Sequence, residues 1–278
     1  MRLRAAVPIV LGALLSVVGL AGCGGGDTGA AGASADPSAP LKIGVNPTPH
    51  GEILKYVADN LAKDKGLNLQ ITEFSDYTTL NPALVAGDLD ANYFQHIPFL
   101  EQYQQDSGNQ LAWVSPVHIE PLGLYSNKIT SLDQLSDGAT VAVPNDAANE
   151  ARALKLLQDN GVLKLKDGVE EKATIRDIAE NPKNLQFTEL EAAQLPRSLD
   201  DTQASVINGN YAIEAGLKPS EKALALEKAE HNPYANGLVT RTELKDDPRI
   251  KNLAELLSSQ QVKDFIKQRF TDGSVIPA

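Results

Sequence analysis

From Leu41 onward the hydrophobic positions switch repeatedly between two periods. "LKIGV" is a short β-branched run that predicts a strand. In "PTPHGEILKYVADNLAKD", Ile53, Leu54, Val57, Ala58 and Leu61 recur at helical spacing. "LNLQITEF" alternates as a strand does, and "TTLNPALVAGDLDA" predicts a short helix ending near Gly87. "DANYFQ" is extended. "IPFLEQYQQDSG" is helical, with Pro98 in the first turn, where a missing N–H is tolerated. "LAWVSPVHIEPLGLYS" predicts a long strand-like segment interrupted by two prolines, and "TVAVPN" followed by "NEARALKLLQDNG" is a second strand–helix unit. "LQFTELE", "ASVIN" and "GLVTR" predict further short strands. The tail "DPRIKNLAELLSSQQVKDFIKQRF" is helical, with Ile250, Leu253 and Leu257 on one stripe and Val262, Phe265 and Ile266 on the next. Strands alternating with helices predict an α/β fold with largely parallel sheets covered on both faces. Right-handed crossovers then place the working loops at the carboxyl ends of the strands.

The first residues follow neither period. "MRLR" carries two positive charges and precedes an uncharged apolar run of about 16 residues, short of the roughly 20 that a membrane span needs. The run ends in small residues at "LAGC", so residues 1–22 are predicted to be an export signal that is removed. "LAGC" resembles the bacterial lipobox, which implies that Cys23, the single cysteine, becomes a lipidated N-terminus carrying acyl chains such as palmitate. Two or more acyl chains on one residue hold a protein stably on a membrane. Residues 23–40 are almost entirely Gly, Ala, Ser and Pro, with nothing to bury, and form a flexible tether.

Composition then narrows the chemistry. The formal charge is −11, and loss of Arg2 and Arg4 with the signal makes it two units more negative. Such a surface argues against nucleic acid, which needs basic patches. There is no G-x-S-x-G elbow and no Gly-rich phosphate loop. The four histidines, His50, His96, His118 and His231, have no metal-ligand spacing, so no metal and no cofactor are expected. No positive sign of an enzyme is present. An exported, anchored α/β chain of this length fits a solute-binding protein or a secreted hydrolase. One local oddity remains: aromatics make up only 5% of the chain, yet "DANYFQHIPFLEQY" concentrates four of them around His96.

Several segments together resemble the MetQ/NlpA family, the methionine-binding lipoproteins of methionine ABC importers. They include "FSDYTTLNPAL", "GDLDANYFQHIPFLEQ", "VAVPNDAANEARALKLLQ", "ENPKNLQFTELEAAQLPRSLDD", "VINGNYA" and "NPYANGLVTR", in family order from Leu41 onward. The resemblance implies a two-lobed fold like that of type II periplasmic binding proteins, with mixed sheets flanked by helices and the ligand in the cleft between lobes. Residues 41–118 plus 240–278 would form one lobe, and 119–239, with the hinge strands, the other. The implied partners are L-methionine, the permease and ATPase complex of an ABC importer, and a membrane reached through the lipid anchor, at the extracytoplasmic face of the cell membrane.

By the same resemblance the family's carboxylate-binding arginine falls on Arg152, its ligand asparagines on Asn208 and Asn236, and its aromatic and histidine contacts on Tyr77, Phe94, His96 and Phe99. A guanidinium fork near a helix start suits a carboxylate, and Asn149, one turn earlier, would steady it. In an extended "NYFQH", Phe94 and His96 share one face while Tyr93 and Gln95 share the other. A helix beginning near Ile97 brings Phe99 beside His96. Tyr93 and Tyr103 are left pointing outward, and Asn210 reads as a turn residue. Phe99 stands where family members often have tyrosine, so D-methionine, a methionine-containing dipeptide or a related amino acid remain alternative ligands. An extracytoplasmic hydrolase, or a surface protein in adhesion or sensing, are the alternatives from other classes.

Overall fold

The computed structural model describes residues 39–278. The export signal, Cys23 and nearly all of the tether therefore lie outside the described residues. Two mixed sheets organise the rest, each parallel on one side and antiparallel on the other. In the first, Leu69–Glu73, Leu41–Val45 and Ala91–His96 run parallel, and Asn236–Arg241, Leu111–Ile119 and Ile276–Pro277 continue antiparallel. In the second, Gln186–Leu190, Thr140–Pro144 and Ala204–Ile207 run parallel, followed by antiparallel Gly123–Tyr125 and Ala223–Leu226. The expectation of largely parallel sheets thus holds for only half of each, because the chain passes twice between the sheets and each pass delivers a reversed strand.

The two passes position everything that follows. The first is short: the "EPL" between Leu111–Ile119 and Gly123–Tyr125 splits one apolar stretch into strands of different sheets. The second runs from Ala223–Leu226 to Asn236–Arg241. Leu122 and Glu227 tie the passes together, since the Glu227 N–H donates to the Leu122 carbonyl at 2.9 Å and the Leu122 N–H donates to Glu227 Oε2 at 2.9 Å.

Each sheet has its own apolar core. Ile43, Val45, Ile53, Leu54 and Val57 meet Leu253, Leu257, Val262 and Ile266 of the tail on the first sheet. Leu154 and Leu157 of helix Ala147–Asp159 pack on Val141, Val143 and Val206 of the second. The tail is two helices rather than one, Pro248–Leu257 and Gln260–Arg269. Ser259 ends the continuity by adopting an extended backbone and accepting a hydrogen bond from the Val262 N–H with its hydroxyl, as an N-cap does. Among the described residues no helix is long and apolar enough to cross a membrane.

Candidate functional site

The carboxyl ends of the parallel strands in both sheets converge on one cavity. It holds about 310 Å³ of space between protein atoms, part of it open to solvent. From the first sheet, strand Ala91–His96 carries Phe94, Gln95 and His96, and helix Ile97–Ser107 begins at once and adds Phe99. Tyr77 comes from the loop before helix Leu80–Ala86. From the second sheet, helix Ala147–Asp159 contributes Asn149 and Arg152, and strand Ala204–Ile207 ends on Asn208. Asn236 opens the returning strand, paired between His96 and His118. All eight ligand candidates from the sequence line this one space. Glu120, Gln95 and Gly209 line it too.

One end of the cavity is aromatic. Tyr77, Phe94 and Phe99 have ring centroids 5.6–5.9 Å apart, mostly edge to face, the arrangement aromatic rings favour. Gln95 is fixed beside them because its amide is tied to Asn81 and Asn92, with bonds of 2.7–2.9 Å.

The other end is polar, and its groups hold one another in place. Arg152 is buried, with Nε donating to Glu227 Oε1 at 2.8 Å, Nη2 donating to Glu227 Oε2 at 2.5 Å and to the Glu120 carbonyl at 3.0 Å. Its guanidinium stacks 4.3 Å from the Tyr234 ring centroid. Burial alone would make Arg152 easier to deprotonate, but Glu227 outweighs it and holds the guanidinium firmly charged. One edge of the fork is thus committed to the second pass of the chain, leaving Nη1 without a hydrogen bond among the described residues.

His96 has both ring nitrogens engaged. Nδ1 accepts from the Phe99 N–H at 3.2 Å, capping the helix, and Nε2 donates to Asn149 Oδ1 at 3.1 Å. Burial, with Arg152 nearby, lowers its pKa to about 3, so the ring is neutral and in the Nε2–H tautomer. Asn149 is fixed in turn, its amide donating to both oxygens of Asp146 and its Oδ1 also accepting from Asn208. Asn208 Oδ1 is buried and, among the described residues, has no hydrogen-bond partner, an open acceptor on a residue that lines the cavity. Buried polar atoms are rarely left so.

Beneath this end lies a cluster that the sequence does not announce. Among the described residues, His50, His118 and Glu120 bring ligand-type atoms within 4.8 Å of one another. The Tyr93 hydroxyl bonds His118 Nδ1, so His118 carries its proton on Nε2 and donates it to Glu120 Oε1 at 2.6 Å. His50 Nε2 lies 3.3 Å from Glu120 Oε1 and 3.3 Å from Asn236 Oδ1. Donors of a tetrahedral zinc site stand roughly 3.3 Å apart, as bonds of 2.0–2.1 Å require, so the 2.6 Å contact is a hydrogen bond and the cluster is a proton-sharing network. Burial lowers the pKa of His118 to about 3 and that of His50 to about 4, and it pushes Glu120 up.

Two readings of the sequence change here. Tyr93 does not point to solvent: it is fully buried and orients His118. Every residue of Ala91–His96 is buried because both faces of this central strand are covered. Asn210 is not a turn residue but lies in helix Gly209–Glu214, accepting from the Tyr77 hydroxyl. Glu227 and Tyr234 escaped notice because their partner Arg152 is distant in sequence, and Glu120 because nothing local marks it as facing a cavity. The available signal was a lone carboxylate inside the apolar "VHIEPLGL", since a buried charge needs partners.

Comparison with known proteins identifies the family. The model of the NlpA lipoprotein family matches residues 41–278. The D-methionine-binding lipoprotein MetQ of Escherichia coli K12 is 43% identical over 95% of each chain. A nutrient-binding protein from Burkholderia cenocepacia, solved bound to methionine, is 46% identical with a TM-score of 0.83, covering 86% of this chain and 99% of that one. An ABC transporter periplasmic substrate-binding protein from Coxiella burnetii is 43% identical with a TM-score of 0.82, over 86% and 100%. With a family match spanning both sheets and the cavity between them, the chain belongs to the NlpA lipoprotein family.

Proposed function

We propose that this protein captures methionine in the cavity between its two lobes and delivers it to an ABC importer. Lipid on Cys23 would hold it at the outer face of the membrane, and residues 23–40 would give it reach. The lobes are 41–118 with 240–278, and 119–239, closing about the two passes of the chain. Binding and release require no bond to be made or broken.

The observation that supports this most directly is the division of the cavity into two chemistries. An amino acid presents a carboxylate, an ammonium and a side chain. The free edge of Arg152 suits the carboxylate, with Asn149 holding its surroundings rigid. Asn208 Oδ1 lacks the donor that an ammonium would supply. Tyr77, Phe94 and Phe99 present ring edges to a thioether, a contact worth about 0.3–1.5 kcal/mol. The MetQ relative and the methionine-bound neighbour point to the same ligand.

The test is a stability shift. After unfolding and refolding to remove co-purified ligand, L-methionine at 100 times its Kd should stabilise the protein by about 2.7 kcal/mol. A panel of common amino acids, D-methionine and methionine dipeptides should respond more weakly or not at all. A response confined to some other solute would overturn the assignment.

A further inference from the structure

The aromatic end of the ligand cavity is a partition with a second space behind it. Tyr77 and Phe99 line the ligand cavity and also a neighbouring chamber of about 320 Å³, part of it open to solvent. From the side of the second sheet come Tyr211, on helix Gly209–Glu214, and Ala192 and Ala193, on the turn that follows strand Gln186–Leu190. The chamber's lining also carries Asp76, Asp146 and Glu191 and, among the described residues, no cation. An anionic occupant would meet like charge there.

The two rings of the partition are held unequally. Tyr77 is tied by its hydroxyl, which donates to Asn210, and its ring centroid lies 5.0 Å from that of Tyr211. Phe99 has no polar group. Its half-buried ring rests on edge contacts, with centroids 5.8 Å from Tyr77, 5.6 Å from Phe94 and 6.2 Å from His96. Each contact of this kind is worth about two- to twelvefold in an equilibrium constant. Phe99 is the ring that yields first.

We propose that Phe99 is a movable leaf between the ligand cavity and this chamber, and that the site takes thioether amino acids whose sulfur carries an uncharged alkyl chain longer than methyl. This rests on the amino-acid reading above, which sets the thioether against Tyr77, Phe94 and Phe99, and it adds a ligand class that methionine does not reveal. A methyl group ends at the ring edges. A longer chain displaces Phe99 and continues into the chamber. Opening the partition is a single cost, set by the ring contacts of Phe99, and each methylene buried beyond it then adds up to about fourfold in affinity. A cavity closed at its aromatic end behaves in the opposite way, since every added methylene overpacks it.

Calorimetry of the refolded full chain with L-methionine, S-propyl-homocysteine and S-pentyl-homocysteine reads the difference. Both homologues should bind, the S-pentyl compound at least as tightly as the S-propyl. If L-methionine binds but S-propyl-homocysteine does not, or if the S-pentyl compound binds more weakly than the S-propyl, the proposal is overturned. Ala193 lines the chamber but not the ligand cavity. Ala193→Leu should therefore weaken S-pentyl-homocysteine about tenfold or more while L-methionine stays within about threefold. A variant that weakens both ligands by the same factor, or neither, also overturns the proposal, because the chain then lies elsewhere. Should Ala193→Leu fail to fold, the homologue series decides alone. A wild type that binds none of the three compounds overturns the amino-acid reading, which separates the two failures.

Discussion

Arg152 does two things at once, and its substitution should reveal both. The guanidinium lines the cavity, yet it is also the bond between helix Ala147–Asp159 and both passes of the chain, through Glu227 and the Glu120 carbonyl. Arg152→Ala leaves the partly buried Glu227 with only the Leu122 N–H and the Asn232 amide as donors among the described residues, a loss that should fall below the about 3–5 kcal/mol seen when one member of a fully buried pair is removed. Denaturant unfolding should show that loss without any ligand present, and calorimetry should show methionine binding abolished. Arg152→Lys keeps the charge but not the planar fork, so it should recover more stability than affinity. The arginine itself was picked out by the family resemblance, and its place near a helix start suited the role. Its partner was not, because Glu227 lies 75 residues away and no local pattern ties the two.

Among the secondary-structure elements, the short helix Gly209–Glu214 matters more than its length suggests. It reaches across the cavity rim to the loop before helix Leu80–Ala86: Asn210 accepts from the Tyr77 hydroxyl, and the Tyr211 hydroxyl donates to the Ser75 carbonyl at 3.2 Å. Its approach to Glu120 requires glycine at its first position. Gly209→Ala should force the helix outward, with an overpacking cost of about 1–3 kcal/mol. Methionine affinity should fall further than that stability change predicts, because Asn208 and Asn210 move with the helix. Comparing unfolding with calorimetry on this variant checks both, and unchanged affinity would mean that the rim is not part of the site. Strands and helices with long clean periods were readable from sequence, as Leu41–Val45, Glu52–Asn60 and Ala147–Asp159 show. This helix was not, since six residues that open on Gly-Asn carry too little periodicity. The break at Ser259 was also missed, because the apolar stripe continues across it.

For the molecule as a whole, three buried neutral histidines make stability depend on pH. His96 and His118 are lowered to about 3 and His50 to about 4, all below the ordinary value of 6.5. Between those limits the unfolded chain binds protons that the folded chain refuses, so their contribution is fully present above pH 6.5 and is lost as pH falls towards 4 and 3. Each histidine contributes a slope of up to about 1.4 kcal/mol per pH unit. Glu120 acts in the opposite sense: its raised pKa favours the folded state at low pH, and that contribution is lost as pH rises through the folded value. Asp146 and Glu150, raised by burial too, act in the same sense as Glu120, so the histidines are read by difference. Going from pH 7 to pH 4.5, the unfolding midpoint in denaturant should change less unfavourably in His96→Gln than in the wild type. Equal changes in the two proteins would mean that the His96 ring is not held neutral.

The Arg152–Glu227 pair has one more consequence, for how ligand is captured. A long, flexible cation facing an open cleft must be immobilised each time a ligand arrives, at about 0.5–1.5 kcal/mol for a side chain of this kind. Here two bonds to Glu227 and the stack on Tyr234 fix the guanidinium before any ligand is present. That ordering happens when the chain folds, and the cleft meets its ligand with the receiving edge already rigid.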